Sequence, residues 1–223
     1  MVKYMIILTE RLKAVASFVR GKRLIDVGTD HAYLPAHLLS AGKIDSAVLT
    51  DINPGPLKKA KSTISSAGFE DKCRFVLTDG LVGLDNEECT DISIAGMGGI
   101  LITEILEKSE IAKRANLILQ PMTHPHLLRK FLYDNGYSID DESLAKEDRR
   151  IYQIINAVYT GKTESHTDTE LYLGKKNIEN RDPVLFREFC NKIHNELEIK
   201  YNGTKDPKLG EILKEIERIT EKL

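Results

Sequence analysis

Five short apolar runs, at residues 23–27, 47–50, 73–77, 92–95 and 116–120, punctuate the first 120 positions of the chain. All but the third lack a polar alternation, the pattern of strands covered on both faces of a parallel sheet. A helix precedes the first run. Helical stretches at 33–41, 55–67, 100–112 and 126–135 separate or follow the others. Alternating strands and helices predict a doubly wound, mostly parallel sheet.

The pattern changes after residue 136. Runs at 137–145 and 151–159 flank the polar stretch 146–150 with no room for a helix, so they predict an antiparallel hairpin. The polar segment 161–170 marks a boundary. Beyond it the spacing predicts a helix over 171–201, with a break before Pro183. A turn at Asn202-Gly203-Thr204 follows, then a second helix with Leu209, Ile212, Leu213, Ile216, Ile219 and Leu223 on one stripe. The expected division is a sheet domain with its N-terminal helix over 1–160 and a helical hairpin over 161–223.

Composition narrows the class. The 223 residues are 41% hydrophobic and 30% charged, an ordinary globular balance. No apolar run reaches the roughly 20 residues of a bilayer span, and no secretory leader is evident. Cys73, Cys89 and Cys190 are scattered, as in a reducing cytosol, and a cytoplasmic location is expected. Net charge is -2, yet residues 1–23 hold six bases (Lys3, Arg11, Lys13, Arg20, Lys22, Arg23) against Glu10. The remainder therefore carries -7. A local basic surface on an acidic body suits a polyanion, and Arg11 and Lys13 are the candidate contacts.

The chemistry concentrates at strand ends. The first run enters Asp26-Val27-Gly28-Thr29-Asp30-His31-Ala32-Tyr33, a strand, a glycine turn and a helix. Loops at the carboxyl ends of such strands bind ligands. A dinucleotide fold wants three glycines there to seat a pyrophosphate. This turn has one, and the acids Asp26 and Asp30 suit a cationic ligand instead. The second run ends in Asp51-Ile52-Asn53, an acid placed to accept ribose hydroxyls. The third ends in Asp79-Gly80, where methyltransferases recognise an adenine amino group. The fourth ends in Ala95-Gly96-Met97-Gly98-Gly99, open backbone without the Asn/Asp-Pro-Pro-aromatic motif of enzymes acting on exocyclic amines. His124-Pro125-His126 lacks a third ligand, so no metal is expected.

Taken together, VASFV, DVGTDHAYLP, TDINPGPL, TDGL, IAGMGG, LILQPM and KEDRRIYQII resemble the bacterial tRNA (adenine-N1)-methyltransferases that modify adenine 22. The resemblance covers residues 6–160 closely and the tail more loosely. It implies S-adenosylmethionine as donor, a class I Rossmann-like α/β domain whose mostly parallel seven-stranded sheet closes with an antiparallel hairpin, and a C-terminal coiled-coil-like domain. Asp26, Gly28, Asp30, His31, Asp51, Asp79 and Gly96 fall on donor motifs, and Ile52, Asn53, Gly80 and Ala95 adjoin them. Asp30, His31, Tyr33 and Met97 are candidates for the base pocket, and no catalytic residue stands out. The expected partner is tRNA, with no membrane and no obligate protein partner. The alternatives are another RNA or a small molecule as acceptor, or an inactive interaction module.

Overall fold

The computed structural model describes residues 6–179 and 182–223. Lys3 of the basic segment and residues 180 and 181 of the predicted tail helix lie outside the described residues. Helix α1 (Glu10–Ser17) precedes β1 (Arg23–Val27), α2 (Tyr33–Ser40), β2 (Ser46–Asp51), α3 (Pro54–Ala67), β3 (Cys73–Leu77), β4 (Asp91–Gly98) and α4 (Gly99–Glu107). Then come β5 (Asn116–Thr123), α5 (Pro125–Asp134), β6 (Tyr137–Glu147), β7 (Arg150–Tyr159), α6 (Asp168–Leu173), α7 (Lys175–Glu179), α8 (Pro183–Thr204) and α9 (Pro207–Glu221). Among the described residues no helix is long and apolar enough to cross a membrane.

The strands form one sheet in the order β3-β2-β1-β4-β5-β7-β6. Pairing is parallel from β3 to β5 and antiparallel where β7 meets β5 and β6. Successive residues of the apolar runs feed opposite faces. Ile25, Leu117, Leu119 and Ile155 join the core under α4 and α5. Leu24, Ile118 and Ile154 join the core under α1, α2 and α3. Both neighbours in a pleat are thus buried, and the runs carry no alternation.

Several boundaries differ from the sequence reading, each for a local reason. The helix predicted to reach residue 112 stops at Glu107, and a 3-10 turn covers Ile111–Arg114. There the Asp85 carboxylate accepts from the amides of Glu110 and Ile111 and draws them away from helical bonding. The hairpin turn is only Asp148-Arg149, because Glu147 still pairs with Arg150. The turn expected at Asn202-Gly203-Thr204 falls later. The helix continues through Thr204, and Lys205 takes the left-handed conformation (φ 55°) before Asp206 caps α9.

The helix predicted over 171–201 is α6, α7 and α8, with α8 starting at Pro183 as the expected break requires and a further break at Gly174. Gly174 (φ 85°) separates the first two, and a Cβ there would lie 2.5 Å from the Glu142 carboxylate. That carboxylate accepts from the Lys176 amide at 3.0 Å and pairs with Arg129 Nε at 2.7 Å. Arg129, fully buried, also donates to the Leu171 carbonyl and to Gln153 Oε1. One guanidinium therefore ties α5, β6, β7 and α6 together. Helices α8 and α9 enclose their own core (Phe186, Phe189, Ile193, Leu197, Ile212, Leu213, Ile216), which takes in Leu173 of α6 and meets the sheet domain through Ile151.

Candidate active site

The strand order reverses direction between β1 and β4, and the carboxyl ends of β1, β2, β3 and β4 open there on a cavity of about 260 Å³. Gly28, Asp51, Ile52, Asn53, Asp79, Gly80 and Met97 line it, with Leu101 and Ile105 of α4. The loops are knit together by backbone bonds. The amides of Gly28 and Thr29 donate to the Thr50 carbonyl, and the Thr78 amide donates to the Asp51 carbonyl. Asp51 Oδ1 accepts from the Asn53 amide at 2.8 Å. Its Oδ2 accepts no hydrogen bond among the described residues.

Gly28 has φ 70°, and a Cβ there would collide with Met97 Cε. The bare backbone is what leaves room in the cavity beside β1. An acid at each of the β2 and β3 ends and a glycine at the β1 end fit an adenosine carrying a cationic tail, so this wall suits S-adenosylmethionine.

Asp26 lies beneath this surface. It is 6% exposed, its two oxygens accept from Ser93 Oγ and Thr29 Oγ1, and burial pushes its carboxyl above the usual range. It pins the loop after β1 to β4. Asp30 (φ 35°) turns the other way, toward Lys59 at 3.8 Å and His31 at 3.6 Å. His31 stacks on Tyr33 with ring centroids 5.2 Å apart. These two rings line a separate cavity against α3, with Lys59, Ser62, Thr63 and Ser66. The structure thus brings Gly28, Asp51, Ile52, Asn53, Asp79, Gly80 and Met97 together, and sets Asp26 below them and Asp30, His31 and Tyr33 to one side.

Ala95 and Gly96 belong to β4 itself, which bulges between Ala95 and Met97. Facing Gly96 is a residue of α1. Arg11 Nη1 would lie 3.9 Å from a Cβ on Gly96, and it donates to Gln120 Oε1 at 2.8 Å. The same guanidinium lies over the Tyr152 ring at 5.6 Å. Gln120 is completely buried within β5. It was not singled out from the sequence. The available signal is an amide that follows Leu117-Ile118-Leu119 inside a buried strand, a polar residue that burial requires to be paired.

The other N-terminal bases point elsewhere. Lys13 pairs with Glu10 on the outer face of α1, Arg20 with Asp140 and Arg23 with Glu88. Of these described bases, Arg11 alone reaches the mouth of the site. His124 and His126 lie with ring centroids 6.1 Å apart. Among the described residues no three His, Cys, Asp or Glu side chains converge as a metal site.

A seven-stranded sheet with this order, a closing antiparallel hairpin and a cavity over the β1–β4 switch define the methyltransferase fold, and a methyltransferase-domain family model matches residues 8–155. The chain belongs to the family of bacterial tRNA (m1A22) methyltransferases. It is 36% identical over 153 residues to the tRNA (adenine(22)-N(1))-methyltransferase of Bacillus subtilis (strain 168), an alignment spanning 67% of this chain and 64% of that protein. A candidate tRNA (m1A22) methyltransferase from Streptococcus pneumoniae, solved in complex with S-adenosyl-L-methionine, is 31% identical with a TM-score of 0.86, covering 96% of this chain and all of that one. TrmK of M. capricolum, solved with S-adenosyl-homocysteine, is 28% identical with a TM-score of 0.79, covering 96% of each chain.

Proposed function

We propose that this chain transfers the methyl group of S-adenosylmethionine to N1 of an adenine in tRNA, at position 22 by its relatives. One observation carries the reading. At a single sheet end, an acidic, glycine-lined cavity (Gly28, Asp51, Asp79) adjoins a cationic, aromatic mouth (Arg11, Gln120, Tyr152). The first suits the donor's adenosine, and the second suits a nucleotide. Bound at the cavity, the donor supplies an electrophilic methyl carried on a sulfonium.

The chain's own residues position and shield. Asp51 accepts ribose hydroxyls, Asp79 accepts from the adenine amino group, and Met97 closes the wall between the strands. Adenine N1 carries an in-plane lone pair and no proton at neutral pH. No general base is needed, and rate comes from alignment. This agrees with the lack of an acidic side chain on the open stretch Gly96-Met97-Gly98-Gly99. Because N1 lies on the pairing edge, the target must be unpaired or flipped.

The reaction belongs to the cytoplasm and requires neither a metal nor an obligate protein partner. Residues 161–223 form the coiled-coil-like RNA-facing domain in this reading, with α6 and α7 as its joint to the sheet and α8 and α9 as its body. The test is incubation with labelled donor and unmodified tRNA transcripts, followed by nucleoside mass spectrometry. N1-methyladenosine at position 22 is expected. A methyl group on another nucleoside, or none on any transcript, contradicts the proposal.

A further inference from the structure

A second cleft, of about 470 Å³, lies between the β5–α5 loop, the start of β7 and helix α8. This is within the range of small-ligand sites, yet it is separate from the cavity over β1–β4. Its charge differs from that of its surroundings. The tail as a whole holds 12 bases and 13 acids over residues 161–223. The cleft is lined by Arg150, Lys192 and Lys200 against the single acid Glu196. Lys192 lies 4.0 Å from Glu196. Arg150 and Lys200 have no ion-pair partner among the described residues, and both are exposed.

Four rings, His124, His126, Tyr152 and Tyr172, share the lining with apolar residues such as Ile151, Ile193 and Leu197. His126 and Tyr172 stack with centroids 4.6 Å apart and planes 16° from parallel. Burial and the nearby Lys200 push the His126 pKa down to about 4, so at neutral pH the ring is an uncharged stacking surface. Tyr152 lines this cleft and also lies under Arg11 at the mouth of the active site. The cleft therefore runs on from the place where the methylated base must enter.

Free cations beside flat rings are the elements that hold single-stranded nucleic acid: the cations take phosphates and the rings take bases. We propose that this cleft binds a nucleotide of the substrate RNA outside the methylated one, with its phosphate on Arg150 and Lys200 and its base against the Tyr172–His126 stack. The inference rests on tRNA being the substrate. It gives α8 a defined task, to close one side of a channel that aligns the strand with the active site.

The test compares tRNA affinity across a salt series for the full chain, the Arg150→Gln/Lys200→Gln variant and a Lys214→Gln/Lys222→Gln control on α9 and the residue that caps it. Each lost phosphate contact lowers the log–log salt slope by about 0.7 for single strands. The cleft variant should lose between one and two contacts' worth of slope and roughly tenfold in affinity. KM for tRNA should rise while donor affinity stays unchanged. The control should match wild type. A wild-type slope in the cleft variant, or an equal loss in the control, overturns the cleft proposal alone, provided wild type methylates tRNA. A wild type that methylates no transcript overturns the assigned function and the cleft with it.

Discussion

The two halves of the sheet end are built from opposite materials. Over β1, β2 and β3 the wall is glycine and carboxylate, with Gly28, Asp51 and Asp79 held by backbone bonds between adjacent loops. Over β5, β7 and α8 the wall is guanidinium, ammonium and aromatic ring, supplied by Arg11, Arg150, Lys200, Tyr152 and Tyr172. The first half is local, since each residue sits at its own strand end. The second half is assembled from α1, β5, β7 and the tail, far apart in sequence. A cationic small ligand and a polyanionic large one can share one mouth because the fold keeps these fields apart.

The largest expected effect comes from the joint that fastens the tail, and with it α8 of the second half, to the sheet. Arg129 and Glu142 are both completely buried, and Arg129 also holds the Leu171 carbonyl and Gln153. Removing one partner strands a buried charge, at about 3–5 kcal/mol. Arg129→Ala should lower stability by that amount in a denaturant titration. A loss below about 1 kcal/mol would mean that the tail is not fastened to the sheet through this residue.

On the donor side, Asp51→Ala should weaken binding of S-adenosylmethionine by about 1–3 kcal/mol, the cost of unmet polar partners. Calorimetry on the folded variant reads this directly. Unchanged affinity would move the ribose contact elsewhere. On the acceptor side, Arg11 and Lys13 should separate. Arg11→Gln removes a charged group paired to buried Gln120 at the mouth, and methyl transfer to tRNA should fall by about 1.5–3 kcal/mol in kcat/KM. Lys13→Ala removes half of an exposed pair with Glu10 and should change transfer by less than about 1 kcal/mol. Equal losses would show a diffuse basic face rather than one directed arginine.

That last contrast marks where the sequence stops being informative. The strands, the closing hairpin and the acids at strand ends are local signals. An apolar run buried on both faces looks the same wherever it sits in the sheet, and Asp51 and Asp79 need only end their strands to reach the cavity. Asp30, His31 and Tyr33 share a motif with Gly28 but turn toward α3, because Asp30 and Ala32 take left-handed backbone conformations that the letters do not announce. Gln120, Tyr152 and Arg129 gain their meaning only from partners more than ten residues away. The break at Gly174 depends on Glu142, on another strand.

The smallest effect is one of pH. His126 is held near 4 in the folded chain, below its ordinary 6.5, chiefly by burial. Its contribution to stability is present above about 6.5 and declines as pH falls toward 4, because the unfolded chain takes up a proton that the folded ring refuses. Wild type should therefore lose stability over that window more steeply than His126→Phe, which keeps a ring against Tyr172. Parallel pH profiles would show that His126 is open to water and not part of a stacked wall.

The separation of the two halves is tested most directly by measuring both ligands in both variants. Affinities for S-adenosylmethionine and for tRNA are determined in Asp51→Ala and in Arg150→Gln/Lys200→Gln. The account predicts a crossed result: the first variant loses donor affinity and keeps tRNA affinity, and the second does the reverse. Parallel loss of both ligands in either variant would contradict it.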